Sequence, residues 1–430
     1  MYMEKVQVVS ICGSQWGDEG KGKYSGFFSK DFDYIARFNG GANAGHTLIY
    51  QGKTYKFRML PCGAVHEHVK CIIGTGCAVS LEMLYQDIQN APYNQESLIN
   101  RLYISNRAHL VLPLHVTMDI ELENARSVIC KSIGTTKSGI GPTYSTKMLR
   151  TGLRMVDLLD FEHFKMLFKE FISLNNMNGL ITQEEIAVQL NKYENFYHMF
   201  KNCIVNTNLL ITNELKLGKK FIVECSNGVL LDVDYGTYPF VTSSNTLSPA
   251  IFPHLGIPMN IPIMNIGITK AYQTRVGEGP FPTELSGPLG EKLRSKGNEF
   301  GSNTNRARRC GWVDIPALRY SHSVCVYDCL ILTKLDVLTG FDKISICVDY
   351  KIHGMPMIHG DYPACVKDFN ALEPIYEVAE GWSEDISKCR RFEELPSNAK
   401  KYIERISQLI GVPIKWVGVG QDNDSTIYIA

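Results

Sequence analysis

Short apolar runs punctuate the chain, and each stops at a cluster of glycine and small polar residues. Val6 to Cys12 is such a run, and Gly13-Ser14-Gln15-Trp16-Gly17-Asp18-Glu19-Gly20-Lys21-Gly22-Lys23 follows it. The run predicts a buried strand, and Tyr24 to Ser29 the start of a helix. Asp33 to Phe38 reads as a second strand, ending in Asn39-Gly40-Gly41-Ala42-Asn43-Ala44-Gly45-His46-Thr47. Tyr55 to Leu60, Cys71 to Gly74, Arg101 to Ser105 and His109 to Leu112 read as short strands, and Ser80 to Ile88 as a helix with Ser80 as N-cap. Pro113 to Arg126 predicts a helix, and residues 155–215 carry a helical pattern rich in Lys and Glu. Phe221 to Cys225, Ile263 to Tyr272, Cys325 to Leu332 and Pro413 to Gly418 read as further strands, and Ala399 to Ile410 as a helix closed by Gly411.

Alternation of this kind predicts an α/β fold: a large, mostly parallel central sheet flanked by helices, of a modified P-loop type, with helical and small-strand insertions. No repeat, heptad or clear linker divides the chain. Residues 1–430 are therefore expected to form a single large α/β domain with a helical insertion around 115–215. In such folds ligands gather beyond the C-terminal strand ends, which is where the polar clusters lie.

The first cluster is a glycine-rich turn between strand and helix. Its free backbone N–H groups and the positive end of the helix dipole favour an anion, most often phosphate. It departs from the G-x-x-x-x-G-K-[ST] pattern, with Gln15 in a glycine position and Gly22 where a hydroxyl would hold Mg²⁺. Asp18 sits inside it, and phosphate repels a carboxylate unless that group holds a metal, accepts a proton, or both. The second loop adds His46, read either as an acid/base group or as a surface histidine on a glycine turn.

Ile133 to Tyr144 is rich in Gly and Thr, with Lys147, Arg150 and Arg154 after it; it suits a nucleotide contact or a solvated loop. Gly297 to Arg309 brings Arg306, Arg308 and Arg309 within four positions, the densest positive charge in the chain. Arginines match carboxylate or phosphate bidentately, although a solvated basic turn has the same composition. Thr333-Lys334-Leu335-Asp336 ends an apolar run in T-K-x-D, the arrangement by which many GTP-binding proteins read guanine. There the carboxylate takes the ring N–H and the exocyclic amine, and the lysine stem covers the base. Gly418-Val419-Gly420-Gln421-Asp422 is a turn suited to flank that base. Together these loops suggest GTP-driven activation of a second substrate. Asp18 would remove a proton and hold Mg²⁺, Lys21 would neutralise the moving phosphoryl group, His46 would assist, and the arginine loop would hold an acidic co-substrate.

Composition changes this picture little. Lys plus Arg equals Asp plus Glu at 44 each, so no global field points to nucleic acid or a membrane. No window approaches the ~20 apolar residues of a membrane span. The N-terminal apolar run is short and interrupted by Gln7, so no signal peptide is expected. The 13 cysteines form no C-x-x-C pair and read as buried thiols of a reducing, cytoplasmic protein.

The motifs Gln15 to Lys23, Gly40 to Thr47, Ile133 to Pro142, Asp232 to Thr246, Gly279 to Leu285, Gly297 to Gly301 and Thr333 to Leu338 resemble, in this order, those of the adenylosuccinate synthetase family. The resemblance extends from Gln15 to Gly420. It implies a GTP-dependent ligase of AMP biosynthesis that joins IMP and L-aspartate through a 6-phosphoryl-IMP intermediate, releasing GDP and phosphate. It implies Asp18 as general base, His46 as acid and Lys21 as third catalytic group. Asp18 and the Gly45 carbonyl would ligate one Mg²⁺ per subunit. Gly17, Asp18, Glu19, Gly20, Lys21, Gly22, Lys23, Gly45, His46 and Thr47 would cradle the GTP phosphates, and Arg308 would also bind GTP. Lys334, Leu335, Asp336, Gly418, Val419 and Gly420 would hold its guanine. IMP would meet Asn43, Ala44, Thr136, Asn227, Thr242 and Arg306, with Arg150 reaching over from the neighbouring subunit of a homodimer. Ser302, Asn303, Thr304, Asn305, Arg306, Ala307 and Arg308 would form the aspartate loop.

Several positions depart from the family pattern: Asn227 for a glutamine, Asn305 for a glycine, Ala307 and Ser138 for arginines, and Gly418 for a serine. Asn227 and Ser138 motivate one alternative, a same-fold synthetase for a related purine nucleotide such as GMP or dGMP; the phosphate loop and Thr333 to Asp336 would serve a second equally well, a non-catalytic GTP-binding regulator.

Overall fold

Val8–Gly13 is buried at every position, as a strand must be when helices cover both faces of a parallel sheet. It lies near the middle of the central sheet in the computed structural model, which describes residues 6–129, 132–175, 179, 181–301, 306–358 and 360–430. Ten strands form that sheet. In chain order they are β1 Val8–Gly13, β2 Tyr34–Arg37, β3 Lys70–Ile73, β4 Leu102–Ser105, β5 Ile204–Val205, β6 Phe221–Gly228, β7 Ile263–Lys270, β8 Cys329–Thr333, β9 Ile414–Gly418 and β10 Thr426–Tyr428. Across the sheet they run β10-β9-β8-β7-β1-β6-β2-β3-β4-β5. Every neighbouring pair is parallel except β9–β10. Val9 and Ile11 point into one apolar core and Val8 and Cys12 into the other, the period-two alternation of a strand.

The connections place the site. From β1 the chain passes through the helix Lys21–Ser29 to β2, leaving a slot that β6 later fills; β7 then pairs on the other flank of β1. This reversal of direction opens a crevice above the C-terminal end of β1.

Helix Lys21–Ser29 begins three residues earlier than its sequence pattern suggested. Gly20 precedes it at φ 97°, a left-handed conformation that glycine adopts without strain, and no side chain caps the helix. Its first-turn N–H groups therefore remain open to a ligand. His46 and Thr47 are not loop residues but open a strand, His46–Tyr50, paired with Lys53–Phe57. The expected strand from Cys325 to Leu332 is wrong in its first half. Cys325 ends a helix, Ile315–Cys325, capped by Asp314 and carrying Pro316 in its first turn; the strand starts at Cys329. An apolar run alone does not separate a buried helix end from a buried strand. In the helical region, Phe161–Leu174, Gln183–Phe200 and Thr207–Lys216 are helices, and β5 lies between the last two. The long antiparallel pair Phe341–Ile352 and Leu372–Trp382 was not anticipated. No helix among the described residues is long and apolar enough to cross a membrane.

Candidate active site

A cleft of about 970 Å³ lies over the C-terminal ends of β1, β6, β7, β8 and β9. The phosphate loop forms its floor, and its shape depends on a carboxylate that the cleft never sees. Glu19 is fully buried: Oε1 accepts from the backbone N–H of Gln15 at 3.1 Å and of Gly17 at 2.9 Å. Oε2 accepts from Lys21 Nζ at 2.6 Å. A Cβ on Gly13 would stand 2.3 Å from Glu19 Oε2, so glycine there makes room for the clamp. Glu19 thus holds the loop in shape from within. Burial works against the charge of Lys21, but Glu19 outweighs it and holds the amine above its ordinary pKa.

Asp18 stands at the loop apex with φ 60° and a side chain 28% exposed; its Oδ2 lies 2.8 Å from Arg308 Nε. Arg308 Nη1 donates in turn to Glu299 Oε2 at 2.5 Å. Glu299 is completely buried and also takes Lys270 Nζ at 3.1 Å, Lys334 Nζ at 2.8 Å and the Tyr272 hydroxyl at 2.5 Å. Burial alone would raise its pKa, but Lys270, Lys334 and Arg308 hold it well below the usual carboxylate range. Burial pulls Lys270 down to about 8 despite Glu299. A chain of charges therefore joins Lys334, at the base end, to Asp18, at the phosphate end.

His46 is held by a residue that carries no catalytic role in the motifs. Its Nδ1 lies 2.5 Å from Oε1 of Glu224, while Nε2 is buried without a hydrogen-bond partner among the described residues. Glu224 is completed by the Cys62 N–H on Oε2 at 3.0 Å and by Arg37 at 3.9 Å. Burial works to raise its pKa, yet His46, Arg37 and that N–H bring it to about 2. An ionised Glu224 accepts from Nδ1–H and leaves Nε2 as the working atom. His46 stands hard against the phosphate loop, since a Cβ on Gly22 would lie 2.9 Å from its own Cβ. The signal for Glu224 was present in the sequence: a glutamate inside the apolar run Phe221 to Cys225, in a strand buried on both faces, needs a cationic or donor partner.

At the base end, Lys334 takes φ 57° and donates to the Gly297 carbonyl at 2.6 Å. Asp336 Oδ1 is buried and has no hydrogen-bond partner among the described residues. Burial raises its pKa, offset in part by its own backbone N–H and by Lys334, Lys23 and Lys296. Leu335 and Val419 are fully buried, so Lys334, Asp336, Gly418 and Gly420 line the cleft while those two support them. Lys23 Nζ donates to the Gly420 carbonyl at 3.0 Å, and burial brings its pKa down to about 8.

Asn43, Asn227 and Thr242 line the same cleft. Asn43 Nδ2 donates to Thr242 Oγ1 at 3.2 Å. Asn227 takes φ 67° and has a buried Oδ1 without a hydrogen-bond partner among the described residues. Ala44, Gly45, Thr47, Thr136 and Arg306 line the same cleft. Arg306 Nη1 reaches the Gly134 carbonyl at 3.3 Å, and Ala307 bridges to Phe300. Arg150 is elsewhere: it caps the helix Ile140–Leu149 at φ 63°, exposed and outside the cleft. Ser302, Asn303, Thr304 and Asn305 lie outside the described residues.

Comparison with known proteins gives the same answer from three directions. The family model described as adenylosuccinate synthetase matches residues 10–427. The adenylosuccinate synthetase of Theileria parva is 45% identical over 428 residues, covering 98% of this chain and 99% of that protein. That of Plasmodium vivax is 44% identical over 426 residues, covering 98% and 96%. The solved structure of fully ligated adenylosuccinate synthetase from Plasmodium falciparum matches with a TM-score of 0.95 at 41% identity, over 99% of this chain and 100% of that chain.

Proposed function

The chain belongs to the adenylosuccinate synthetase family, GTP-dependent ligases that form a C–N bond, and we propose that its cleft divides that reaction among the residues described above. Asp18 takes the N1 proton of IMP, so that the 6-oxygen attacks the γ-phosphorus of GTP and GDP leaves. His46 Nε2 and Lys21 stabilise the charge that develops on the transferring group. The amine of L-aspartate then attacks C6 and phosphate departs, leaving adenylosuccinate. The observation that carries this reading is the bare Nε2 of His46, backed by Glu224 and set against the phosphate loop. Geometry fixed before the reaction stabilises developing charge without reorganisation.

Asp18 is also suited to a cation, because it is the partly exposed carboxylate of the loop and already faces the guanidinium of Arg308. With the Gly45 carbonyl it would hold one Mg²⁺ per subunit, which when bound neutralises the GTP phosphates. Arg308 would then be free to meet phosphate or the aspartate carboxylates. Arg150, exposed beside the exposed Met148 and Leu149, suits a subunit face that carries it to a partner's IMP site in a homodimer.

Phosphate release is expected only with GTP, IMP and L-aspartate together. Release indifferent to omitting IMP or aspartate would exclude this reading and favour a GTP-binding regulator. GMP or dGMP in place of IMP is expected to stop turnover.

Asp336 sets the response to acid. It must be ionised to accept two N–H groups from guanine. Its pKa is raised above the ordinary 3.8 by burial, so GTP affinity is complete above that raised value and falls as pH drops through it. KM for GTP should therefore climb at a higher pH than an exposed carboxylate would dictate. Asp336→Asn should remove this dependence and weaken GTP about a hundredfold, the loss expected of a buried charged hydrogen-bond pair. A flat KM profile in the wild type would exclude Asp336 as the base reader.

A further inference from the structure

Gly418 ends β9 at the base end of the cleft. A Cβ at this position would lie 2.6 Å from the hydroxyl oxygen of Tyr24, while its next neighbours, Thr333 Cα and Lys334 N, stand 3.5 and 3.8 Å away. The tyrosine hydroxyl is thus the one close atom, and a side chain at 418 and the Tyr24 hydroxyl compete for the same volume. Tyr24 comes from the first turn of the helix after the phosphate loop, is 1% exposed, and also lines the cleft. Its ring packs against Phe28, with centroids 6.0 Å apart. Its hydroxyl is buried and closes no hydrogen bond of normal geometry among the described residues, although Thr426 stands beside it. A buried hydroxyl without a partner is unfavourable unless something arrives to satisfy it.

A second unsatisfied atom is near. Asp336 Oδ1 is also buried and without a hydrogen-bond partner among the described residues, and the Asp336 charge acts on Tyr24. Burial keeps the tyrosine protonated, so the base end presents a bare acceptor and a bare donor together. Guanine carries the complementary edge: two donors, N1–H and the 2-amino group, beside an acceptor, the 6-oxygen. The carboxylate takes the donors, and the hydroxyl matches the oxygen.

We propose that Tyr24 is a specificity-determining residue for the nucleotide, its hydroxyl donating to the 6-oxygen of guanine, and that Gly418 lacks a side chain to admit it. The inference rests on the reading that GTP binds with its base at Asp336. A glycine at 418 and a tyrosine at 24 are then one device delivered by two distant segments.

Tyr24→Phe keeps the ring and removes the donor. KM for GTP and Kd for GDP should rise about tenfold, the scale of one buried neutral hydrogen bond. The effect should fall on the nucleotide alone, with kcat at saturating GTP and the KM values for IMP and aspartate holding. 2-Aminopurine riboside triphosphate lacks the 6-oxygen, so wild type and Tyr24→Phe should bind it equally. Gly418→Ala, whose methyl displaces the hydroxyl, should weaken GTP but not the analogue. Gly418→Ser in the Tyr24→Phe background should return part of the lost affinity by supplying a hydroxyl at the same place. An unchanged KM for GTP, or equal losses for GTP and the analogue in both variants, overturns the inference and leaves Tyr24 a packing residue. A wild-type enzyme that turns over without any preference for GTP counts instead against the underlying placement of the base.

Discussion

Asp18→Asn is expected to abolish turnover, lowering kcat by about 10³- to 10⁴-fold, the range of a lost general base. The amide has nearly the shape of the carboxylate but neither takes a proton nor carries the charge that a cation needs. The fold should survive. Asp18 is partly exposed and sits at φ 60°, a conformation that Asn tolerates as well as Asp. The clamp that shapes the loop is Glu19, not Asp18. Arg308 loses one partner but keeps Glu299. Thermal melting should therefore stay close to wild type while phosphate release collapses. Turnover within a few-fold of wild type would remove Asp18 from the role of base.

His46→Asn should cost about 10²- to 10⁴-fold in kcat by loss of the acid, and the position of Glu224 predicts how that loss is shared. The carboxylate, with its full charge, accepts from Nδ1–H and fixes the ring so that Nε2 is left for the transferring group. Glu224→Gln should lower kcat by about 10²-fold, because an amide cannot supply that charge. The double variant should be scarcely worse than His46→Asn alone, since the two residues act as a unit. Glu224 also faces Arg37 in the core, so its variant should melt lower than His46→Asn. If the two kcat losses multiply in the double variant, Glu224 acts on stability and not through His46.

The phosphate loop and the strands around it were legible because they are local. A parallel strand buried on both faces leaves a continuous apolar run, and a loop that receives phosphate needs glycines at particular backbone angles. Reading failed where a local pattern has two physical outcomes. Cys325 belongs to an apolar stretch that ends a helix and begins a strand within a few residues. The first turn of helix Lys21–Ser29 is written in Gly and Lys, residues that also write a loop, so the sequence pattern starts the helix three residues late.

The sequence by itself determined the family, the α/β alternation, the position of Asp18 in a phosphate loop and the T-K-x-D turn of Asp336. All of these depend on residues adjacent along the chain. The tertiary structure decided the partnerships. Glu224 reaches His46 across 178 positions because β6 lies between β1 and β2. Glu299 ties Lys334 to Arg308, and through it to Asp18, inside a core that no periodicity reveals. Tyr24 meets Gly418 because the helix leaving β1 packs against β9, with Phe28 on Trp416. Strand order sets these distances, and strand order comes from burying the whole sheet at once rather than from any one segment.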